Sequence, residues 1–276
     1  MGVYLIIYYM SEDEIILTHI LQCRSIDLAV NKPVLTCAQQ EQFESYRHRR
    51  EDGEPLQYIF GTCNFMGLEL AVNPAVLIPR PETEQLVDTA LKYFKGGRVL
   101  DLGTGSGNIA IALAKFVPQS QIISVDISAR ALEVARANAR SHGVENSIEF
   151  IQGDILNETV ILSAAKNLKF DLIISNPPYI PTAQLSSLPL DVQEEPVRAL
   201  DGGEDGLNFY RIIIKYTPHL LRTGACLMME FGDGQAEAIK KLIEAEHVFS
   251  GVEIFQDLAG RDRIIKALKG PSTASS

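Results

Sequence analysis

The segment Asp101–Gly107 (DLGTGSG) places three glycines at alternate positions directly after an apolar run that predicts a β-strand. Because glycine has no Cβ, a ligand can lie against the backbone of such a turn, and open α/β sheets bind their ligands at this end of the strands. A dinucleotide fingerprint has the spacing GxGxxG instead, and the acidic Asp101 suits a cationic ligand better than a phosphate. A glycine-rich turn without a ligand is the alternative interpretation.

Two acidic residues follow the next two predicted strands. Asp126 ends the run Ile122–Val125, where a carboxylate can accept hydrogen bonds from both hydroxyls of a ribose. The alternative is that Asp126 only starts the following helix, a role that Ser128 can fill as well. Asp154 can accept from the exocyclic amine of an adenine, although the pair Gly153-Asp154 is equally typical of a turn. Together the three strand ends indicate a pocket for an adenosine.

The segment Asn176-Pro177-Pro178-Tyr179 follows the fourth predicted strand and carries the most specific chemistry. An amide or arylamine nitrogen is a poor nucleophile because its lone pair is delocalised, and two acceptors that hold its N–H bonds favour sp3 character. The side-chain oxygen of Asn176 can be one acceptor and the carbonyl oxygen of Pro177 the other, in a loop that two prolines stiffen. Tyr179 would pack on the planar group. The pattern predicts methyl transfer from a sulfonium donor to a planar NH2 group, with a purely structural turn as the alternative.

The composition excludes other classes of function. The chain has 276 residues and a formal net charge of −10, which argues against a broad surface for polyphosphates or nucleic acid. Its four cysteines are scattered, without a CxxC pair or a neighbouring histidine, so we expect neither disulfides nor a metal site. The apolar start at residues 3–9 lacks the features of a signal peptide and is interpreted as a ragged N-terminal extension, with a packed segment as the alternative. We expect a cytoplasmic monomer that binds no metal, membrane or nucleic acid.

Strand and helix patterns alternate from about residue 95 and would position these groups. Helical patterns lie at 107–116, 129–142 and 206–221. The β-type runs are Arg98–Leu102, Gln121–Val125, Ser147–Ile151, Asp171–Ser175 and Ala225–Phe231. Two final runs, Gly251–Phe255 and Arg263–Ala267, can pair antiparallel. This order predicts an α/β fold with a mostly parallel, Rossmann-like sheet and helices on both faces.

A small helical region precedes the alternation. The capping boxes Ser11/Glu14 and Thr36/Gln39 predict two helices, and the alternation over residues 64–78 predicts short strands or a hairpin. We expect a helical domain at 1–62, a β-hairpin linker at 63–78, a catalytic domain at 79–269 and a disordered tail at 270–276. The helical core is too thin for chemistry, so a binding role is expected for it.

With these motifs in place, the chain resembles the HemK/PrmC family of protein-(glutamine-N5) methyltransferases that act on peptide chain release factors. The glycine turn is typical of class I methyltransferases in general, NPPY narrows the class to amino-group methylation, and RPETE narrows it to this family. The segments that carry the resemblance are Gly53–Gly61 (GEPLQYIFG), Val76–Glu84 (VLIPRPETE), Glu194–Pro196 (EEP), Ala199–Leu207 (ALDGGEDGL) and Asp257–Arg263 (DLAGRDR).

The resemblance implies a release-factor docking domain at the N-terminus and a seven-stranded catalytic sheet. It implies S-adenosyl-L-methionine as the methyl donor, S-adenosyl-L-homocysteine as the product, and the glutamine of a Gly-Gly-Gln loop as the substrate. The positions that match the donor site are Gly103, Thr104, Gly105, Ser106, Gly107, Asp126, Asp154, Ile155 and Asn176. The glutamine site corresponds to Asn176, Pro177, Pro178 and Tyr179, of which Asn176, Pro177 and Tyr179 are the expected catalytic residues. Ile155 stands where relatives often have an aromatic residue, so it offers apolar cover without stacking.

Three rival functions share part of this pattern. A DNA or RNA adenine N6-methyltransferase would use the same donor pocket and NPPY chemistry, but it needs a basic cradle for a flipped base, which the net charge disfavours. A nicotinamide oxidoreductase needs GxGxxG and has no use for NPPY. A non-catalytic S-adenosylmethionine-binding module would keep the glycine turn but would have no need of Asn176, which this chain has.

Overall fold

The computed structural model describes residues 10–31, 33–157 and 168–271. The chain divides into two compact units, Met1–Gly61 with Pro189–Glu194 and Thr62–Leu188 with Glu195–Ser276. The segment Pro189–Glu194 thus groups with the N-terminal helices, although the sequence assigned it to the catalytic domain. The expectations for residues 1–9, for most of the connection 155–169 and for the tail after residue 271 lie outside the described residues. No helix in the described part has the length and apolar character of a membrane span.

The first unit consists of short helices: α1 (Glu12–Leu21), α2 (Ser25–Asn31), α3 (Cys37–Glu51) and α4 (Leu56–Phe60). Both predicted capping boxes are confirmed, because the hydroxyls of Ser11 and Thr36 accept the N–H groups three residues further on. The arginines at the end of α3 are paired with carboxylates: Arg47 with Glu51, Arg49 with Glu54, and Arg50 with Glu12 and Asp191. This basic cluster is therefore largely neutralised within its own unit.

A two-stranded hairpin, β1 (Thr62–Phe65) and β2 (Leu68–Ala71), begins the second unit. Its turn is formed by Met66 and Gly67, both with positive φ, as a type I′ hairpin turn requires. The hairpin is shorter than predicted, because no strand continues over residues 72–78 and this stretch leads to helix α5 (Pro81–Tyr93). Asn138 holds the hairpin in place through three hydrogen bonds. Its Oδ1 accepts the Ala71 N–H at 2.8 Å, and its Nδ2 donates to the Ala71 carbonyl at 3.0 Å and to the Ser106 carbonyl at 2.9 Å.

The rest of the second unit is built on a seven-stranded sheet. Its strands are β3 (Gly97–Leu102), β4 (Ser120–Asp126), β5 (Ile148–Gln152), β6 (Phe170–Ser175), β7 (Leu221–Glu230), β8 (Phe249–Gln256) and β9 (Asp262–Lys269). The helices between them are α6 (Asn108–Phe116), α7 (Ala129–Ser141), α8 (Leu190–Gln193, which groups with the first unit), α9 (Val197–Leu200), α10 (Asn208–Leu220) and α11 (Ala236–Ala245). The strand order is β5-β4-β3-β6-β7-β9-β8. The first five strands run parallel, and β9 pairs antiparallel with both β7 and β8. The predicted fold class is confirmed.

Alternate residues of the strands face two separate cores. On β3, Val99 belongs to the core beneath α5 and α6, whereas Leu100 belongs to the core beneath α10 and α11. Both side chains are fully buried, as expected of a sheet with a helical layer on each face. Strand β7 begins at Leu221, four residues before the predicted start at Ala225, so α10 leads directly into it. This arrangement carries the ends of β3, β4, β5 and β6 to one edge of the sheet.

Candidate active site

A cavity of about 500 Å³ lies at the edge where these parallel strands end. Its wall contains seven of the residues that the sequence singled out: Gly103, Gly105, Asp126, Asp154, Ile155, Asn176 and Pro178. The predicted convergence of the strand ends is therefore observed. The other five candidates, Thr104, Ser106, Gly107, Pro177 and Tyr179, do not line the cavity. Among the described residues, no group of three His, Cys, Asp or Glu side chains is arranged to hold a metal ion.

The three glycines after β3 have two different roles. Gly103, Gly105 and Gly107 all have positive φ, which favours glycine at each position. A Cβ added at Gly105 would meet nothing within 4 Å, so the backbone there is open to a ligand. A Cβ added at Gly107 would lie 3.0 Å from the Ile111 side chain and 3.2 Å from Ala135. Gly107 therefore allows close helix packing, and its expected contact with the donor stays a prediction.

Asp126 fixes the shape of the glycine turn. Its carboxylate accepts the N–H of Gly105 and the N–H of Ser128, each at 2.8 Å. The Ser128 hydroxyl itself caps α7 by accepting from Ala131, so Asp126 is not needed as the side-chain cap. Burial raises the pKa of Asp126, and the backbone N–H groups oppose this effect. Asp126 also lines the cavity, and its contact with a ribose stays a prediction.

Asp101 is a buried carboxyl group directly before the glycine turn. Its Oδ2 accepts from the Ser124 hydroxyl at 3.2 Å, while its Oδ1 has no hydrogen-bond partner among the described residues. Burial raises the pKa of Asp101 to about 7, and the hydrogen bond from the Ser124 hydroxyl opposes this effect. A cation near this turn would stabilise the ionised form, which agrees with the preference for a cationic ligand inferred from the sequence.

The residues after β5 form a turn and also line the cavity. Asp154 Oδ1 accepts the Leu156 N–H at 2.9 Å, so the turn interpretation of Gly153-Asp154 holds in the structure. Asp154 also lines the cavity together with Ile155, which is buried, and Leu156, which is half-exposed. The cover at this end is apolar. Acceptance of an adenine amine by Asp154 stays a prediction.

Asn176 is held by a hydrogen-bonded chain of polar side chains. Its Nδ2 donates to the Thr83 hydroxyl at 2.9 Å, and that hydroxyl donates to Glu230 Oε2 at 2.7 Å. Thr83 and Glu230 are each 1% exposed. Burial raises the pKa of Glu230 to about 7, with the Thr83 hydrogen bond opposing it. Sequence reasoning missed both residues, although Thr83 lies within the RPETE motif and Glu230 ends β7.

Tyr179 is enclosed by three glycines of two other segments. A Cβ added at Gly202 would lie 2.8 Å from the Tyr179 Cα, one at Gly206 would lie 2.3 Å from its carbonyl oxygen, and one at Gly232 would lie 2.9 Å from its ring. Burial raises the pKa of Tyr179 to about 12. The ring thus packs beside Gly232 and does not line the cavity, while Gly202 and Gly206 of the motif ALDGGEDGL allow close approach to the Tyr179 backbone.

Two further segments belong to the wall, although the sequence did not predict them there. The first is the stretch after the hairpin, Ala75–Leu77, and the second is the start of α9, Pro196–Ala199. Glu195, which is buried, joins them: it accepts the Ile78 N–H at 3.0 Å and pairs with Arg80. The sequence offered a signal in the motifs VLIPRPETE and EEP, but it gave them no structural role.

The fold and the strand-end cavity define a methyltransferase. Residues 94–248 match the family described as a methyltransferase domain. A solved methyltransferase from Pyrococcus furiosus superimposes with a TM-score of 0.57 over 86% of this chain and all of that one, at 17% sequence identity. At this identity the likeness concerns the fold alone.

Sequence similarity identifies a particular family within this fold. Residues 11–61 match the PrmC N-terminal domain. The release factor glutamine methyltransferase of Thermodesulfovibrio yellowstonii is 39% identical over 95% of this chain and 93% of its own length. That of Moorella thermoacetica is 43% identical over 80% of this chain and 77% of its own length. The chain belongs to the release factor glutamine methyltransferase family.

Proposed function

We propose that this protein transfers the methyl group of S-adenosyl-L-methionine to the side-chain amide nitrogen, N5, of the glutamine in the Gly-Gly-Gln motif of peptide chain release factors. Its relatives carry the name of this activity. The observation that carries the proposal is the amide of Asn176 in the cavity wall: its NH2 group donates to Thr83, so its carbonyl oxygen is available to accept from a substrate NH2.

Three features of the cavity support the donor that the proposal requires. The backbone at Gly105 is open, Asp126 offers carboxylate oxygens beside it, and Ile155 gives apolar cover. S-adenosyl-L-methionine, when bound, supplies a methyl group on a positively charged sulfur, and its product is S-adenosyl-L-homocysteine.

The residues after β6 would align the acceptor. Asn176 Oδ1 and the Pro177 carbonyl would each accept one N–H of the glutamine amide, which weakens its delocalisation and aims its lone pair at the methyl carbon. The nitrogen would form the new bond to the methyl carbon while the carbon–sulfur bond of the donor breaks and its electron pair stays on sulfur, and the methylated nitrogen would then release one proton to water. Alignment of this kind can lower a barrier by roughly 7–11 kcal/mol.

We also propose a cytoplasmic monomer whose helical unit docks the release factor, without contact to nucleic acid or membrane. The net charge of −10 and the ion-paired arginines of α3 support the absence of a polyanion surface. An adenine N6-methyltransferase would share the NPPY chemistry. The experiments below distinguish this alternative, because it would place the methyl group on adenine and not on glutamine.

The test is single-turnover methyl transfer to a purified release factor at saturating donor, with mass spectrometry to locate the methyl group. Asn176→Ala should lower the rate by about 100-fold or more, as does the loss of one preorganised polar contact in other active sites. Donor affinity, measured by calorimetry, should change little. Asn146→Ala is the control, because Asn146 is exposed on a short 3-10 helix outside the cavity wall. Wild-type turnover in Asn176→Ala, or methylation of adenine in place of glutamine, would overturn the proposal.

A further inference from the structure

The hydrogen bond from Thr83 to Glu230 determines which atom of the Asn176 side-chain amide faces Thr83. A hydroxyl group has a single proton, and the Thr83 proton is directed at the Glu230 carboxylate, which can only accept while it is ionised. The Thr83 oxygen must therefore accept from its other neighbour. Only the NH2 side of the Asn176 amide can donate to it, so the carbonyl oxygen of Asn176 turns to the opposite side.

Three segments of the fold supply the side chains of this hydrogen-bonded network. Thr83 lies in the first turn of α5, Asn176 follows β6, and Glu230 is the last residue of β7. A carboxyl group at 1% exposure is costly to bury, and an apolar side chain would fill the same place at lower cost. A buried polar network that is retained at such a place needs a reason beyond packing. Neither Thr83 nor Glu230 lines the cavity.

We propose that Thr83 and Glu230 are positioning residues that fix the side-chain amide of Asn176 with its carbonyl oxygen toward the substrate nitrogen, and that ionised Glu230 is the form that does so. This inference rests on the proposed methylation of a glutamine amide. Neither residue touches the substrate, and both act through Asn176.

Protonation of Glu230 can reverse the direction of both hydrogen bonds that Thr83 makes. A protonated carboxyl group can donate to the Thr83 oxygen, and the Thr83 proton is then free to turn to Asn176. The amide can rotate so that its oxygen accepts from Thr83, which presents NH2 to a substrate NH2, where no hydrogen bond can form. Methyl transfer should therefore rise with pH as Glu230 ionises.

The ionisation of Glu230 depends on groups from every side. Glu82 lies on the same helix as Thr83 and raises the pKa of Glu230, whereas Arg80 and Arg263 lower it, and burial is the largest effect, giving a pKa of about 7. Tyr179 faces it from the NPPY loop, and the hydroxyl of Tyr210 on α10 donates to its backbone carbonyl. A single site of this pKa is about 10% ionised at pH 6 and about 90% at pH 8, which predicts a roughly ninefold rise in rate.

The first test compares variants by single-turnover transfer to a release factor at saturating donor. Thr83→Val should lower the rate about tenfold or more, the value of one lost hydrogen bond, with donor affinity unchanged. Thr83→Ser keeps the hydroxyl and should stay within about threefold of wild type. Thr89→Val, a buried threonine on the same helix, is the matched control and should leave the rate unchanged. Glu230→Gln should lose the rise between pH 6 and pH 8, because the glutamine amide does not titrate.

The second test needs no methyl transfer. In wild-type protein the NMR signals of the Asn176 side-chain NH2 should shift with a midpoint near pH 7, and Glu230→Gln should abolish that shift. A Thr83→Val variant with wild-type rates, or a Glu230→Gln variant with the wild-type pH profile, overturns the positioning role while leaving the proposed function intact. Failure of wild-type protein to methylate a release factor, with the NMR titration present, removes the proposed function and leaves the orientation of Asn176 standing.

Discussion

Two buried carboxyl groups make the stability of this protein depend on pH near neutrality. Asp101 and Glu230 are 0% and 1% exposed, and burial raises the pKa of each to about 7. In an unfolded chain such groups have pKa values of roughly 4. Between pH 4 and pH 7 the folded protein keeps protons that the unfolded chain has released, so the free energy of unfolding falls as the pH rises.

The size of the effect follows from the two shifts. One pKa unit corresponds to about 1.4 kcal/mol, so between pH 5 and pH 7 each group lowers the free energy of unfolding by at most about 2.7 kcal/mol, and the pair by at most about 5 kcal/mol. That is a large share of the roughly 5–15 kcal/mol by which folded proteins are stable. The stabilisation is complete below about pH 4 and is lost as the pH rises through 7. Asp205 acts in the opposite direction: Arg211 lowers its pKa to about 2, so its effect lies below pH 4.

Urea unfolding of the donor-free protein, followed by circular dichroism at several pH values, measures this dependence. The unfolding midpoint should fall steadily from pH 5 to pH 7 and level off above pH 8. Asp101→Asn and Glu230→Gln should each remove about half of the slope, whereas Asp205→Asn should leave it unchanged. A free energy of unfolding that stays constant or rises across this range would refute the reasoning, because it would mean that neither carboxyl group holds its proton in the folded state.

Three further outcomes are expected. Asp126→Ala should weaken S-adenosyl-L-methionine binding in calorimetry by roughly 1.5–3 kcal/mol, the value of lost charge-assisted hydrogen bonds, and an unchanged affinity would reduce Asp126 to the start of α7. Gly232→Ala places a Cβ 2.9 Å from the Tyr179 ring and should lower single-turnover rates while donor affinity is kept; full activity would show that the ring can shift without consequence. Duplex DNA or RNA should neither bind in fluorescence anisotropy at physiological salt nor accept methyl groups, and a complex whose affinity falls steeply with salt would contradict this.

The sequence predicted those parts of the site that depend on local spacing. Glycines after a strand, an acidic residue at the next strand end and NPPY after the fourth are read from neighbouring residues, and the parallel sheet brings them together by topology alone. The third glycine shows the limit of this reasoning. The alternate spacing is the same at Gly107 as at Gly105, and only the path of α7 decides that Ala135 occupies the space beside it.

The side-chain network around Asn176 could not be predicted in the same way. The hydroxyl of Thr83 and the carboxylate of Glu230 are separated by 147 residues in sequence. Thr83 has the hydrophobic neighbours expected of a helix face, and Glu230 follows a pair of methionines that predicts core. A carboxylate at the end of a strand is ordinarily expected to reach solvent, and its complete burial becomes visible only when α5 and β7 are seen side by side.

The three hydrogen bonds of Asn138 determine where this chain can be cut. A fragment that begins at residue 79, the start of the predicted catalytic domain, would lack the hairpin. It would strip two of the partners from an amide that is 2% exposed, and it would uncover the surface that Phe65 and Leu70, both at 0%, now cover. Each of these two side chains contributes roughly 1.5–3 kcal/mol by its burial. The Ser106 carbonyl, in the glycine turn, would lose the orientation of its donor. A catalytic fragment that keeps these contacts of the glycine turn therefore has to begin at or before Thr62. The hairpin is a structural part of the catalytic unit and not a flexible linker.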